Sequence, residues 1–434
     1  MKTLTSVLVL MSFFFVSSLF AQTSQDSQLQ YSKPSDKRGL NMFETTKEET
    51  SEFVGLKLKL GGSSTLQFQG MNHSNSALFV DDGNGSNMNE LIELENNFNL
   101  ATANLDLEVQ LHNGLRMHLR TYLSSRHHPE PYVKSGYLQV DRLDFVSPGF
   151  LDNVMNVVTL KVGHMEINYG DAHFRRSDNS ASLHNPFVGN YIMDSFTTEV
   201  GAEAYLKTNG FLGMLGFSNG KLNQDVTSPG QTSLAFLGKL GFDKQVNPGL
   251  RLRLTGSIYS NGNAKQIYLY SGDRAGSRYY SVMQGITATR DNFRSGRWNP
   301  NFSGKLTAIM INPFLKWNGL EFFGTYENSS GGDSINSNDT RTWNQLAGEV
   351  IYRFGASEQW YGGARFNSAS GKLANADAEK VTINRVQLAF GWFLTDNVVA
   401  KIEYVSQSYN DFAASSIYSD ANFKGIMAEA AIGF

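Results

Sequence analysis

The sequence predicts an all-β protein, a transmembrane antiparallel up-and-down β-barrel of about 16 strands with short turns at one end and long loops at the other. Three observations predict it. Apolar residues recur at every second position in segment after segment. The connections alternate between short turns and mostly much longer polar loops, as in outer-membrane barrels. The chain also ends on an alternating run, Ala428, Ala430, Ile432 and Phe434, closed by an aromatic residue.

At the amino end, Met1-Lys2 leads into the apolar run Leu4 to Val16 and the small-residue region Ser17 to Ala21. That pattern is a secretory signal with cleavage expected after Ala21. The expected organisation is 1–21 as signal peptide, 22–52 as a polar periplasmic segment, and 53–434 as the barrel. With no cysteine, an exported chain has no disulfide framework and no thiol chemistry. Lys and Arg number 37 against 40 Asp and Glu, both signs interspersed, so there is no nucleic-acid footprint. Aromatics at 12%, 41 Gly, 9 Pro and a mean hydropathy of -0.31 suit a wall that alternates between lipid and water.

The first strand needs an argument. Leu56, Leu58, Leu60, Leu66 and Phe68 share one parity across Gly61-Gly62-Ser63. Two strands there would make seventeen and spoil antiparallel closure, so one long strand kinked at the glycines is expected. The clearest hairpin is 105–123, alternating on both sides of Asn113-Gly114. A three-residue turn, His112-Asn113-Gly114, keeps the apolar face together and sets Gln110 opposite Arg116, Glu108 opposite His118, and Asp106 opposite Arg120.

The same alternation returns at Val158/Leu160/Val162, Val200 to Leu206, Leu250/Leu252/Leu254, Leu346 to Phe354 and Leu388 to Leu394. Seven short turns are expected (112–114, 146–156, 207–210, 243–249, 316–319, 355–359, 395–397). Eight long polar connections face them (71–97, 124–131, 170–196, 220–232, 260–303, 328–342, 368–380, 409–421). Fifteen connections imply 16 strands. Phe211, Phe242, Trp317, Phe354, Trp360 and Phe434 flank the short turns and form the expected interfacial girdle.

Phasing each strand assigns a charged inner face. The predicted pore-lining residues are Asp106, Glu108, Arg116, His118, Arg120, Lys161, Lys239, Arg251, Arg253, Arg353, Arg365 and Lys401. The connection 170–196 is long enough to fold inward as a constriction, with Arg175, Arg176 and Asp178 as its candidate residues; the basic loop 260–303 is a second candidate. A lining of this kind passes small polar solutes or ions by passive diffusion, with at most a mild anion preference.

Leu160-Lys-Val-Gly-His-Met-Glu-Ile-Asn-Tyr-Gly170, followed by a long basic loop, resembles the corresponding segment of outer-membrane porins of the phosphate-selective O and P type. The hairpin 311–326 is similar. Membership would imply a sixteen-stranded, usually trimeric channel with inward loops and a basic solute path. Here acidic residues interrupt the inner wall, so the resemblance does not carry phosphate selectivity.

No Gly-x-Ser-x-Gly elbow accompanies the His and Ser residues, and no enzyme is expected. No cofactor is expected either. His127-His128-Pro-Glu130 and Asp81-Asp82-Gly83-Asn84-Gly85 have the residue types of metal ligands without the spacing, so no metal site is assigned. Expected partners are outer-membrane lipid, barrel-assembly machinery reached through the strand ending in Phe434, further copies in a homotrimer, and an envelope protein. A barrel plugged by its own loops would be the alternative, a non-conducting structural or binding subunit of an envelope assembly, secretion or adhesion complex.

Overall fold

A computed structural model describes residues 29–48, 51–123, 132–178, 180–222, 233–272, 278–288, 295–333, 339–374 and 380–434. The signal segment 1–21 and the metal candidates at 127–130 lie outside them. Strands β1 (Lys57–Ser74), β2 (Asn97–His112), β3 (Leu115–Leu123) and β4 (Tyr132–Val140) open the wall. They are followed by β5 (Val158–Glu166), β6 (Thr198–Thr208), β7 (Phe211–Ser218) and β8 (Ala235–Asn247). Next come β9 (Leu250–Ala264), β10 (Ser303–Trp317), β11 (Leu320–Gly332) and β12 (Thr340–Phe354). The last four are β13 (Trp360–Gly371), β14 (Val381–Thr395), β15 (Val398–Asn410) and β16 (Asn422–Gly433). Each strand pairs antiparallel with its chain neighbours, and β1 pairs with β16 to close the barrel.

β1 is one strand, as closure demands. Its two glycines sit where the chain's end arrives: Gly62 exchanges both main-chain hydrogen bonds with Phe434, at 3.0 and 3.1 Å. A Cβ on Gly61 would stand 2.8 Å from the Phe434 carbonyl oxygen. The β2–β3 register is the expected one, Asp106 facing Arg120, Glu108 facing His118 and Gln110 facing Arg116. The turn closes differently. His112 faces Leu115 beyond an irregularity at Leu111, leaving Asn113 and Gly114 as the tip, with Gly114 at φ 65. The β4–β5 connection is the longest at the short-turn rim because it holds a helical turn, Asp152–Met155.

Outward positions are apolar and bare: Leu105, Leu252, Leu346, Leu388 and Phe390 are all exposed, whereas Val109, of the same parity, is covered. So much continuous apolar surface is stable only against lipid. At the short-turn rim Trp360 stacks on Trp392 with centroids 4.6 Å apart, and Phe211 meets Phe242 edge-on at 5.6 Å.

The interior is not an empty tube. In the half toward the long loops, inward residues such as Met71, Leu306, Trp343, Ile383, Val405 and Phe423 join loop residues Val188, Ile192, Met193, Leu269 and Val282 in one apolar cluster. The half toward the short turns is charged along β2–β6 and apolar along β10–β15, where Phe314, Phe323, Ile351, Tyr361, Phe393 and Val399 are buried, and residues 29–48 lie across its mouth.

Candidate functional site

The connection between β5 and β6 enters the lumen, and the wall anchors it residue by residue. The Lys401 ammonium donates to the carbonyls of Ser182, Asn185 and Phe187 at 2.9, 3.2 and 3.2 Å and forms an ion pair with Glu429 at 2.6 Å. Arg365 donates to the Gly189 carbonyl at 2.8 Å and pairs with Glu349 at 2.9 Å. Glu403 accepts the main-chain N–H of Val188 at 2.8 Å and of Gly189 at 3.3 Å. Gln345 both accepts from the Met193 N–H and donates to its carbonyl, at 2.8 and 2.9 Å. These side chains satisfy the buried backbone of the loop, whose polar groups would otherwise be costly to bury.

The constriction candidates are all buried in this loop. Arg176 pairs bidentately with Asp194 at 2.8 and 2.7 Å, and Asp178 pairs with Lys134 at 2.5 Å. Arg175 lies 3.3 Å from Glu349 and 3.7 Å from Glu321, with its guanidinium over the Phe323 ring. Asp171 receives Arg253 at 2.8 Å through both donors, Lys239 at 3.0 Å and Thr255 at 2.7 Å. Arg253 and Lys239 outweigh the burial penalty and hold the Asp171 carboxyl below its ordinary range.

The second insertion is the segment 29–48, which sequence reasoning placed outside the wall. It crosses the mouth at the short-turn end. Gln30 bonds Gln110, Asn113 and the Gly114 N–H at the β2–β3 turn. The Lys37 N–H reaches the Asp396 carbonyl at 2.8 Å, and the Asn41 side chain reaches Glu321 at 2.6 Å. Glu44 pairs with Arg253 at 2.8 Å and Lys239 at 3.3 Å, and Lys47 with Asp141 at 3.1 Å. Phe43 is buried among Phe174, Phe314 and Phe323. Burial disfavours ionised Glu44, but Arg253 and Lys239 prevail and hold it well below the usual carboxylate range.

Between these insertions and the wall of β2–β6 lies a cavity of about 180 Å³. Six of the predicted lining residues meet there: Asp106, Glu108, Arg116, His118, Arg120 and Lys161. Asp106 takes Arg120 bidentately at 2.7 and 2.8 Å, while Glu108 lies 3.3 Å from Arg116 and 3.2 Å from His118. Opposite them stand Glu166, 2.6 Å from His173, and Lys33 and Glu44 of the inserted segment. Lys33 and Lys161 are outside any ion pair among the described residues. The Lys33 ammonium sits over Phe174, and that of Lys161 over Tyr137 and Tyr205. Burial pulls the Lys33 pKa down to about 8, and burial with the neighbouring Lys33 charge pulls His184 down to about 3, so His184 is neutral and its Nε2 donates to the Asp36 carbonyl at 2.9 Å.

The other predicted lining residues are elsewhere. Lys239, Arg251 and Arg253 hold the inserted segment and Asp171, whereas Arg353, Arg365 and Lys401 lie under the inward loop, with Arg353 bonded to Glu321 at 2.7 Å. Of the basic loop 260–303, Arg297 pairs with Asp194 at 2.6 Å, while Arg274, Arg290 and Arg294 lie outside the described residues. The external Asp81 and Asp82 accept main-chain N–H groups of their own turn. Glu44, Lys33 and Phe43 escaped the sequence reading. Leu40 and Phe43, apolar within an otherwise polar stretch, were the available signal.

Comparison with solved structures finds the same architecture. The anion-selective porin from Comamonas acidovorans superposes with a TM-score of 0.52 at 11% identity, over 87% of this chain and 100% of that one. The outer membrane channel DcaP of Acinetobacter baumannii gives 0.51 at 10%, over 89% and 99%. OmpT of Vibrio cholerae, an outer membrane protein solved in a trimer form, gives 0.50 at 11%, over 88% and 100%. No protein-family model and no curated protein matches the chain. At this identity the likeness is one of fold: the chain has a porin-type, sixteen-stranded barrel.

Proposed function

We propose that this protein is a porin-like channel of the outer membrane, in which small polar solutes or ions diffuse along the β2–β6 wall. The observation that carries the reading is the charged cavity between that wall and the two insertions. It is lined by ionic side chains in a barrel whose outer face is apolar, and such a passage favours hydrated solutes. A mild anion preference belongs to the proposal. Asp106, Glu108 and Glu166 each have a cationic or imidazole partner, whereas Lys33 and Lys161 face the space without a carboxylate. Export with loss of 1–21, and recognition of the Phe434 end by assembly machinery, are part of the same reading. So is a homotrimer, supported by the trimer form of the Vibrio barrel. The finer kinship to phosphate-selective porins rests only on the segments 160–170 and 311–326.

Planar-bilayer recording of the purified full chain tests this. The expected result is ohmic steps with a reversal potential favouring anions, shifted toward cations in Lys161→Gln. Silence over many insertions overturns the channel, and an unshifted reversal potential overturns the role of Lys161. A second reading has its own observation, the apolar cluster filling the half toward the long loops. It makes the barrel a non-conducting structural or binding subunit of an envelope complex, and silent recordings with a co-purifying envelope protein would support it.

A further inference from the structure

The two insertions differ in what the wall would lose if each left. Without the inward loop, the donors on Arg365, Arg385 and Gln345 and the acceptors on Glu403 lose partners deep in the lumen. Residues 29–48 are different, because the wall and loop charges they touch keep another partner, with the exception of Lys207, whose ammonium bonds the Thr45 carbonyl. Arg253 retains Asp171 and Asp243, at 2.8 and 3.0 Å, and Lys239 retains Asp171. Glu321 retains Arg353, and Asp141 retains Thr159 and Gln139 at 2.5 and 2.6 Å. The freed Glu44 and Lys47 would regain hydration. Removing the segment therefore strands no fully buried wall charge, since Lys207 is only half-buried at the end of β6 and would turn to water, and stranding is the expensive event for buried pairs.

Its attachment is also of a separable kind. The barrel closes through β1 and β16 without it, and the Lys37 to Asp396 contact is the single main-chain hydrogen bond from 29–48 to the wall among the described residues. Both ends of the segment meet at one point of the rim. The Gln30 amide reaches the Ser51 carbonyl at 2.9 Å, and Phe53 stacks on His112. Meanwhile Lys33, Pro34, Ser35, Phe43, Glu44 and Thr45 form the face of the charged cavity toward the short turns.

From this geometry we infer that residues 29–48 are a removable strap, docked in the mouth at the short-turn end and shutting the cavity, whose withdrawal opens the path. The inference rests on the channel reading for its consequence but not for the motion. Docking is held chiefly by Phe43, the more deeply buried of the strap's two rings, which packs on Phe314 and Phe323 of the wall. The inward loop is the fixed constriction and the strap the movable one.

The chain has no cysteine, so thiols placed in it are unique. Gln30→Cys with Asn113→Cys, bridged by a short reducible cross-linker, ties the Gln30 end of the strap to the rim while the other end is already tied through β1. Hydrogen exchange should show 29–48 exchanging at least about tenfold faster than 180–197 in the unbridged chain, slowing on bridging and recovering on reduction. Bilayer recordings should show two conductance levels, of which bridging removes the upper. Phe43→Ala, which needs no cross-link, should raise strap exchange about a hundredfold. Protection of 29–48 equal to that of 180–197, or exchange indifferent to both changes, overturns the strap. Fast, bridge-sensitive exchange in a barrel that stays silent supports the strap and overturns the channel.

Discussion

Arginine placed at Phe390 should cost far more than arginine at Phe354, and depth explains why. Both residues point outward. Phe354 ends β12 at a short turn, whereas Phe390 lies six positions before Asp396, the first residue of the β14–β15 turn. At about 3.4 Å per residue and a tilt near 40°, each position climbs roughly 2.6 Å, so Phe390 stands roughly 16 Å above that turn. An apolar band about 25 Å tall then has Phe390 near its middle. A midplane arginine costs about 2–4 kcal/mol and an interfacial one about 0–1. Leu252, three positions past Gly249, lies about 8 Å up and should fall between. Because Phe390 also packs on Trp360 at 5.7 Å and its ring meets that of Phe354 at 6.5 Å, the quantity to compare is the arginine variant minus the alanine variant at each position. Reversible folding from urea into lipid vesicles measures it. Equal differences at Phe354 and Phe390 would refute the assigned depth and facing.

Three further outcomes are expected. Asp171→Asn removes one of the two carboxylates, with Glu44, that bind both Arg253 and Lys239, and should destabilise the inward loop by about 2 kcal/mol; proteolytic nicking of 180–197 would report it, with the exposed Asp81→Asn as the unaffected control. Acid should loosen the strap. Glu44 titrates well below its ordinary value when docked, so its contribution is present above about pH 4.5 and lost as pH falls further, and neutral His184, held down to about 3, loses its advantage as pH falls from about 6.5. Lys33, at about 8 when docked, adds the same sign at the alkaline end, docking strengthening as pH rises from about 8 to about 10.5; exchange rates of 29–48 across pH check all three. Phe434→Ala should lower the amount of barrel in the membrane while changing the urea midpoint of the assembled protein little, since that ring is exposed; an equal loss in purified folding would refute a role in recognition.

The wall was legible because a strand writes its facing into every second residue. Leu105 to Leu119 and Leu346 to Phe354 fix parity, and parity with turn chemistry fixes register, so strand number and the Asp106–Arg120 pairing follow. What an inward residue faces is not written there. Gln387 and Arg253 have the pattern of residues in water, yet Gln387 bonds Tyr279 and Glu403 while Arg253 clamps Asp171 and Glu44. These positions are consequently poor candidates for tolerant substitution. A signal for a filled lumen did exist: Leu306-Thr-Ala308-Ile-Met310 and Val381-Thr-Ile383 are apolar on the inner parity toward the long loops, which a water-filled tube would not need. The strap was hidden for another reason. It has no period, and its docking depends on single contacts such as Phe43 and Glu44 with residues hundreds of positions away.

The seam between β1 and β16 has a kinetic meaning. Every other seam joins strands adjacent in the chain and can zip as a hairpin, but Ser63 meets Gly433 across nearly the whole sequence. Bringing such distant ends together costs about 5 kcal/mol of chain entropy. A nascent barrel lacking its last dozen residues would therefore carry two bare edges, each a template for a neighbour's strand. Ring closure at Gly62 and Phe434 is then the committing step of biogenesis, and a chain shortened by a single strand should accumulate as open-edged, aggregating sheets rather than as a smaller cylinder.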